Sequence, residues 1–361
     1  MQALRLDPMD EGYFPKLLQR LCAEIGAEVT FEPAFRRAGY ITFANGARRF
    51  FKGTNLDLNG SAAAQIAQDK DFCAKFLTRA GLNVPEGQVV FAPKCVAKWR
   101  AKNPGVAARM DPYGDAEAAA ERWGFPLFVK PNEGAEGEGV RQVADEAQLR
   151  AHLEVLYQQH DRVLIQRPAV GDDYRIVVLD GEVALAYQRV PLTVTGTGGA
   201  TIGALLQERA EALAASGRQA IAQADDPRVL AHLTAQGLSL ADCPGPGEQV
   251  RLLANANLST GGEVVDVSDH IHQTHQQMAL EAAKAVGLRF AGVDILARQI
   301  EAPDPEATVL EVNAAPGLNN YAATGARAEE RVTGLYRTML AMLEREAGAD
   351  QSRSMMAAKD L

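Results

Sequence analysis

The chain is short of cysteine. Four occur in 361 residues, Cys22, Cys73, Cys95 and Cys243, and no two form a C-x-x-C pair. That scatter argues against a disulfide framework and a cysteine-based zinc site, and predicts a reduced, cytoplasmic protein. Long apolar runs are missing as well, so no span and no membrane partner is expected. The N-terminal MQALRLDPMDEGYF lacks an apolar core with a cleavage site, so no secretory signal is expected. Nor is there an excess of positive charge. The net charge is −9, which argues against a general nucleic-acid partner but leaves room for a local basic pocket. Apolar residues make up 47% and charged residues 23%, the balance of a globular domain with a sizeable core.

What is present is an alternation of strand-like and helix-like segments, which predicts an α/β or α+β class. KDFCAKFLTRAGLNVP reads as a helix with Phe72, Phe76 and Leu77 on its apolar side and Gly81 as its stop. FPLFVKP reads as a buried strand ending at Lys130, with VRQV as its hairpin partner across a Gly-rich loop. In YRIVVLDGEVALAYQRVP, Asp180-Gly181 signals a hairpin. Residues 200 to 247 are rich in Ala and Gln and read as helical. THQQMALEAAKAVG carries a capping-box pattern at Thr274 and Gln277 and a Gly stop at Gly287. Val332, Leu335, Tyr336, Met339, Leu340 and Leu343 follow helical spacing, and residues 346–361 read as a loose tail.

TVLEVNAAPG sets a chemical problem. Glu311 and Asn313 stand two apart on an apolar strand and so share a face. The earlier FAGVDIL places Asp294 among apolar residues, and the connection is short enough for the two strands to pair antiparallel. An unpaired buried carboxylate costs several kcal/mol, and two would repel. A hard divalent cation such as Mg²⁺ removes both objections. Exposed acids on an edge strand are the ordinary alternative.

Three further stretches invite a ligand. VKPNEGAEGEGV follows Lys130 with Gly134, Gly137 and Gly139, a loop whose N–H groups can wrap an anion or serve only as a turn. LIQRPAVGDDYRIVV offers a linker along which a nucleotide can lie, an acid for ribose hydroxyls, and Arg175 toward phosphates. RLLANANLSTGG alternates Asn255 and Asn257, as a ligand wall or a half-exposed strand would. HIHQTH gathers His270, His272 and His275 with no cysteine nearby, and loop polarity accounts for it better than zinc.

Taken as an ordered set, these motifs resemble the ATP-grasp superfamily, above all the ATP-grasp domain of cyanophycin synthetases. Glutathione-forming and D-alanine–D-alanine ligases are more distantly similar. NLSTGGEVVDVSDHIH, GLRFAGVDIL, LEVNAAPGLNNY and PLTVTGTGGATIGALL carry the likeness, which runs from about Gln68 to Leu343. The resemblance implies an ATP-grasp fold, with ATP held between two α+β lobes. It divides the chain into residues 1–67, 68–168, 169–345 and 346–361: an N-terminal region, a lid lobe, a metal-binding lobe and a tail.

Residue by residue, the resemblance makes Lys70 and Lys130 the phosphate-contacting lysines and Glu133, Gly134, Gly137 and Gly139 part of the loop that closes over ATP. Gln166 and Ala169 fall where the hinge meets adenine, and Asp173 matches the ribose acid. Arg175, Arg189 and Arg251 match arginines near the triphosphate or the acyl intermediate. Asn257 belongs to the same ordered set, and Gly317 matches a backbone donor near the reacting carboxylate. Asp294, Glu311 and Asn313 match ligands of two Mg²⁺ ions, with Mn²⁺ as a substitute. Gly292 stands where D-alanine–D-alanine ligases carry an arginine.

The implied activity joins a carboxylate to an amine through an acyl phosphate, on an amino acid or small peptide. Asn319, Asn320 and Tyr321 fall where an acceptor would bind. A ligase acting on a peptide or protein tail, or a silent ATP-binding regulator, is the alternative. Relatives of this kind often assemble, which leaves a homo-oligomer open.

Overall fold

The computed structural model describes residues 12–134, 137–215, 222–253, 256 and 261–357. Helix α1 (Tyr13–Glu24) buries Leu17, Leu18, Leu21 and Cys22, a spacing that makes one helical face. It joins an antiparallel meander of β1 (Glu28–Phe31), β2 (Ala38–Thr42) and β3 (Arg48–Lys52) in a shared core. Two helices follow, α2 (Ser61–Gln68) and α3 (Lys70–Arg79). Asp69 separates them and caps α3, accepting from the Phe72 amide at 2.9 Å. The buried stripe of α3 is Cys73 and Leu77, one turn apart. Phe72 and Phe76, expected on that side, are 47% and 44% exposed. A neighbouring charge occupies Phe72 instead: the Arg162 guanidinium lies 4.9 Å from its ring centroid.

The second lobe runs through β4 (Gly87–Phe91), α4 (Pro93–Lys102), α5 (Pro104–Ala107), α6 (Gly114–Trp123), β5 (Leu127–Pro131), β6 (Arg141–Val143), α7 (Glu146–Gln159) and β7 (Arg162–Gln166). Its strands form an antiparallel sheet in the order β4-β7-β5-β6. The strand ending at Lys130 does pair with the segment across the glycine loop.

The third lobe opens with the hairpin of β8 (Asp172–Leu179) and β9 (Glu182–Val190), turned by Asp180 at φ +50° and Gly181 at φ +85°. Two consecutive positive φ values are what a two-residue hairpin turn requires. Between β9 and β12 lies an insertion with its own apolar core: β10 (Thr193–Thr195), α8 (Ile202–Ala215), α9 (Pro227–Ala235) and β11 (Gln249–Arg251). After it come β12 (Glu263–Asp266), α10 (Gln273–Ala285), β13 (Phe290–Ala297), β14 (Thr308–Asn313), α11 (Asn319–Ala322) and α12 (Ala326–Ala357). The main sheet has the order β12-β9-β8-β13-β14, all antiparallel.

Two helix ends differ from expectation. α10 is capped by His272, whose Nδ1 accepts from the Thr274 amide at 3.2 Å, so Thr274 lies inside the helix. α12 continues through Ala357 where a tail was expected. No proline interrupts residues 344–357, and Glu, Arg, Ala and Met are good helix formers. The stripe from Val332 to Leu343 is buried as its spacing predicts.

One face of the main sheet packs under α10, α2 and α3, with Ile176, Val293 and Val312 in its core. The other is covered at one end only, by α12 and the N-terminal lobe. Asn59 fastens that cover. Its Nδ2 donates to the Phe290 and Ala314 carbonyls at 2.7 and 2.6 Å, and its Oδ1 accepts from the Arg289 and Phe290 amides at 2.8 and 3.1 Å. Thr54 Oγ1 adds a bond to the Ala315 carbonyl at 2.9 Å. The chain just after Asn313 is therefore held from outside its own strand. Asn59→Ala strands buried backbone groups at about 1–3 kcal/mol each. Urea titration should show a loss of about 3 kcal/mol in unfolding free energy, whereas a loss below about 1 kcal/mol would mean that solvent replaces the amide.

Candidate active site

The uncovered end of the main sheet carries polar side chains in rows. Tyr187 on β9, Arg175 on β8, Asp294 on β13 and Glu311 on β14 are successive cross-strand partners. Directly paired residues share a face, so the four form one row. Arg189 and Asp173 pair in the next row, and Asn313 faces Gly292 on the other side. The register slips after Asp294, since Ile295 pairs with Val309 and leaves Leu310 over. This bulge turns Val309 into the core while Leu310, Glu311 and Asn313 reach the open side.

The centre of the row is a chain of alternating charge. Asp294 is 0% exposed. Arg175 grips it with Nε and Nη2, both at 2.6 Å, and Arg189 Nη2 adds a third contact at 2.8 Å. Arg189 then reaches Asp173 Oδ1 at 2.7 and 3.1 Å. Burial alone would push the Asp294 carboxyl up, but the two guanidiniums overcome it and hold the pKa down at about 2. Burial pushes Asp173 up to about 6 against the pull of Arg189, and the charge on Asp294 adds to the push.

Gly292 makes this packing feasible. A Cβ there would stand 2.8 Å from Pro316 Cβ and 3.4 Å from Arg175 Cδ. The volume of a side chain at this position is thus taken by Pro316 and by the stem of Arg175 from the adjacent strand.

Lys130 ends β5 on the facing lobe and is 7% exposed. Burial lowers its pKa to about 8; Glu311 opposes that shift and Lys70 assists it. Lys70 opens α3 and donates to the Gly134 carbonyl at 3.0 Å. Gln166 ends β7, buried, with Nε2 3.4 Å from the Pro85 carbonyl. These groups meet in a cleft of about 790 Å³ between the two sheets. Lys70, Lys130, Gly134, Gly137, Gln166 and Ala169 line one side. Asp173, Arg175, Arg189, Arg251, Glu311, Asn313 and Gly317 line the other, and Asn319 and Asn320 extend it.

Other expected residues lie elsewhere. Asp294 sits behind the wall, within reach of the cleft only through its arginines and Glu311. Glu133 is exposed, 3.9 Å from Arg162. Gly139, at φ +68°, packs against α7: a Cβ there would meet Leu156 Cδ2 at 2.9 Å, and His152 Nε2 contacts its carbonyl at 2.9 Å. Tyr321 is buried beneath Tyr187 rather than lining the cleft. Asn255 and Asn257 lie outside the described residues. His272 and His275 serve α10, the first as its cap and the second through the Ile300 carbonyl at 3.1 Å. Among the cleft residues that the sequence reading did not single out are Tyr187 and His232. Tyr187 was findable, since it alternates with Arg189 in ALAYQRV; His232 carries no local signal.

Asp294, Glu311 and Asn313 offer hard oxygens of the type Mg²⁺ takes. Glu311 Oε1 is touched by Asn313 Nδ2 at a long 3.3 Å, so its lone pairs remain available. Asp294 Oδ1 accepts from Arg175 Nε, and a carboxylate oxygen has capacity beyond one such bond. The donor set therefore suits such an ion.

Lys130 is the strained member of the cleft. Its pKa falls from 10.5 to about 8 on folding, so the charged form opposes folding below pH 8. Stability should rise as pH climbs from 8 toward 10.5, where the unfolded chain holds the extra proton. Lys130→Met should stabilise the unliganded protein at pH 7 by about 3 kcal/mol and flatten that rise. A destabilised variant in denaturant titrations would mean that the ammonium supports the fold.

With this geometry in view, the known proteins that the chain resembles can be placed. The RimK-like ATP-grasp domain family matches residues 253–333, and the D-ala D-ala ligase C-terminus matches residues 106–195. The cyanophycin synthetase of Trichormus variabilis is 30% identical over 296 residues, 80% of this chain and 31% of that protein. That of Geminocystis herdmanii is 31% identical over 285 residues, 75% of this chain and 30% of that protein. The glutathione biosynthesis bifunctional protein of Enterococcus faecalis is 29% identical over 239 residues, 64% of this chain and 29% of that protein. The chain spans under a third of the length of these relatives. The bifunctional glutathione synthetase structure from Pasteurella multocida superposes at a TM-score of 0.57 with 20% identity, covering 91% of this chain and 43% of that one, a likeness of fold. In sequence and in architecture, this chain carries an ATP-grasp domain.

Proposed function

We propose that the chain is an ATP-dependent carboxylate–amine ligase that forms an amide bond on an amino acid or small peptide and releases ADP and phosphate. The observation that carries this reading is the convergence of Glu311, Asn313, Lys130, Lys70 and the arginines on one cleft between two lobes. A carboxylate is a poor electrophile, so it must first be activated. In this reading its oxygen attacks the γ-phosphorus of ATP, the bond to the ADP oxygen breaks, and an acyl phosphate forms. The amine then attacks the carbonyl carbon, and phosphate leaves with the C–O bond.

Each group has a physical task. Lys130 and Lys70 place positive charge at the polyphosphate, and a bound anion lets Lys130 keep its proton. Glu311 and Asn313, with Asp294 behind them, would hold Mg²⁺, two ions or Mn²⁺ in its place, which when bound neutralises charge on the phosphate oxygens. Arg175 and Arg189 are preorganised by Asp294 and Asp173, so they need no rearrangement to face charge developing on the transferred group. Gln166 and Ala169, in the cleft wall, would meet the base, and Asp173 would be the acid for ribose. Gly317 offers its N–H beside the reacting carboxylate, and Arg251 and His232 face the cleft from the inserted lobe. Burial and Arg251 lower the pKa of His232, so it stands neutral at pH 7 and can take the proton of the attacking amine.

The test is ADP release with Mg-ATP, pooled amino acids and dipeptides, with condensation products identified by mass spectrometry. Glu311→Ala should cut turnover by roughly 10³-fold or more while the melting transition stays in place. Normal turnover in that variant would contradict the metal assignment, and tight ATP binding without turnover in the wild type would favour a regulator.

A further inference from the structure

Tyr187 stands in the polar row three strands from Glu311, roughly 14 Å at ~4.8 Å per strand spacing, with Asp266 of β12 as its partner on the far side. Its side chain is 0% exposed to solvent, stacks on Tyr321 at a centroid distance of 4.9 Å, and forms part of the cleft wall. Its Oη has no acceptor for its proton: the Arg175 guanidinium beside it can only donate. Among the described residues it is the cleft residue whose buried polar atom is left in that condition. A buried donor without an acceptor costs about 1–3 kcal/mol, and such groups call for an explanation.

The neighbours explain why the proton of this hydroxyl finds no acceptor. Arg175 and Arg189 are the cations beside it, and guanidinium groups donate but cannot accept. The carboxylates on either side are engaged elsewhere: Asp294 by both arginines, and Asp266, the cross-strand partner, by Ser268 and Arg331. Burial holds the phenol pKa up against the pull of the arginines, so the hydroxyl keeps its proton and has one bond to give. An anion entering from the cleft would supply the missing acceptor.

The row also has a direction. Lys130 faces the Glu311 end, which is the nucleotide end in the ligase reading. A phosphoryl group leaving ADP for a carboxylate moves away from that end, toward Arg175 and Tyr187. We propose that Tyr187 Oη donates a hydrogen bond to the transferred phosphoryl group, so that Tyr187 and Arg175 together hold the acyl phosphate and then the phosphate it releases. The tyrosine is a hydrogen-bond donor throughout: it neither gains nor loses a proton, and the bonds broken and formed at phosphorus are those of the transfer itself. The proposal rests on the ligase reading, but its assignment is specific to this side chain.

Inorganic phosphate is the suitable probe, because every acyl-phosphate route releases it whatever the acid. Phosphate is titrated calorimetrically into protein saturated with Mg-ADP, for the wild type and for Tyr187→Phe, which keeps the ring stack. The variant should bind phosphate about fivefold more weakly or worse, the loss of one hydrogen bond to an anion. Its Mg-ADP affinity should be unchanged, and its melting temperature should not fall, because the phenyl ring keeps the stack on Tyr321 and removes a buried O–H that has no acceptor. Equal phosphate affinity in both proteins would overturn the proposal, as would no phosphate binding by the wild type. A lower melting temperature with parallel loss of both ligands would assign the hydroxyl to the fold instead. Failure of the wild type to bind Mg-ADP would contradict the ligase reading itself.

Discussion

Two arginines and two aspartates alternate across the middle of a β-sheet, and the cleft is organised around that chain of ion pairs. Asp294 sits where water cannot reach it. A lone carboxylate there would cost several kcal/mol or take up a proton. Arg175 meets it in a bidentate grip and Arg189 from the side, and Arg189 in turn leans on Asp173. The set is neutral as a whole, which is why it can be buried. A buried pair of this kind is weak evidence of added stability, since well-packed apolar residues often do as well. Its value here is positional: two guanidiniums are held close together, against their mutual repulsion, at the wall of a cleft.

That arrangement reconciles an acidic protein with the anionic ligand of the proposed function. The net charge of −9 is spread over the surface, whereas Lys70, Lys130, Arg175, Arg189 and Arg251 converge on one cavity. Low dielectric strengthens their field and disfavours their charge, as the depressed pKa of Lys130 shows. A polyphosphate entering the cleft, as the proposed function requires, would relieve that penalty, so that stability forgone in the empty state would be regained on binding.

The sequence was most legible where the signal was local. Glu311 and Asn313 share a face because they are two apart, and Asp180-Gly181 turns a hairpin because both positions need positive φ. Antiparallel pairing of Asp294 with Glu311 followed from a short connection between two apolar strands. What stayed hidden depends on register between distant strands. Arg175 and Asp294 are 119 residues apart, and no pattern in either strand announces their grip. The bulge that turns Val309 inward while Leu310 faces the cleft is a property of the pairing, not of either strand. Gly139 reads as a phosphate-loop glycine by composition, yet its contact with Leu156 makes it a packing residue. Phe72 and Phe76 misled because aromatic character was taken for burial, and a stacked guanidinium satisfied one of them at the surface.

The inserted lobe brings His232 and Arg251 to the cleft from a segment with its own small core, separate from the ion-paired sheet. The account turns on whether the open face of β14 meets metal and polyphosphate. The direct measurement is a crystal structure with Mn²⁺ and a non-hydrolysable ATP analogue, read by the anomalous signal of manganese. The account predicts manganese within about 2.3 Å of oxygens of Glu311 and Asn313, with the triphosphate between them and Lys130. Nucleotide bound with those oxygens turned to bulk solvent, and manganese elsewhere, would contradict it.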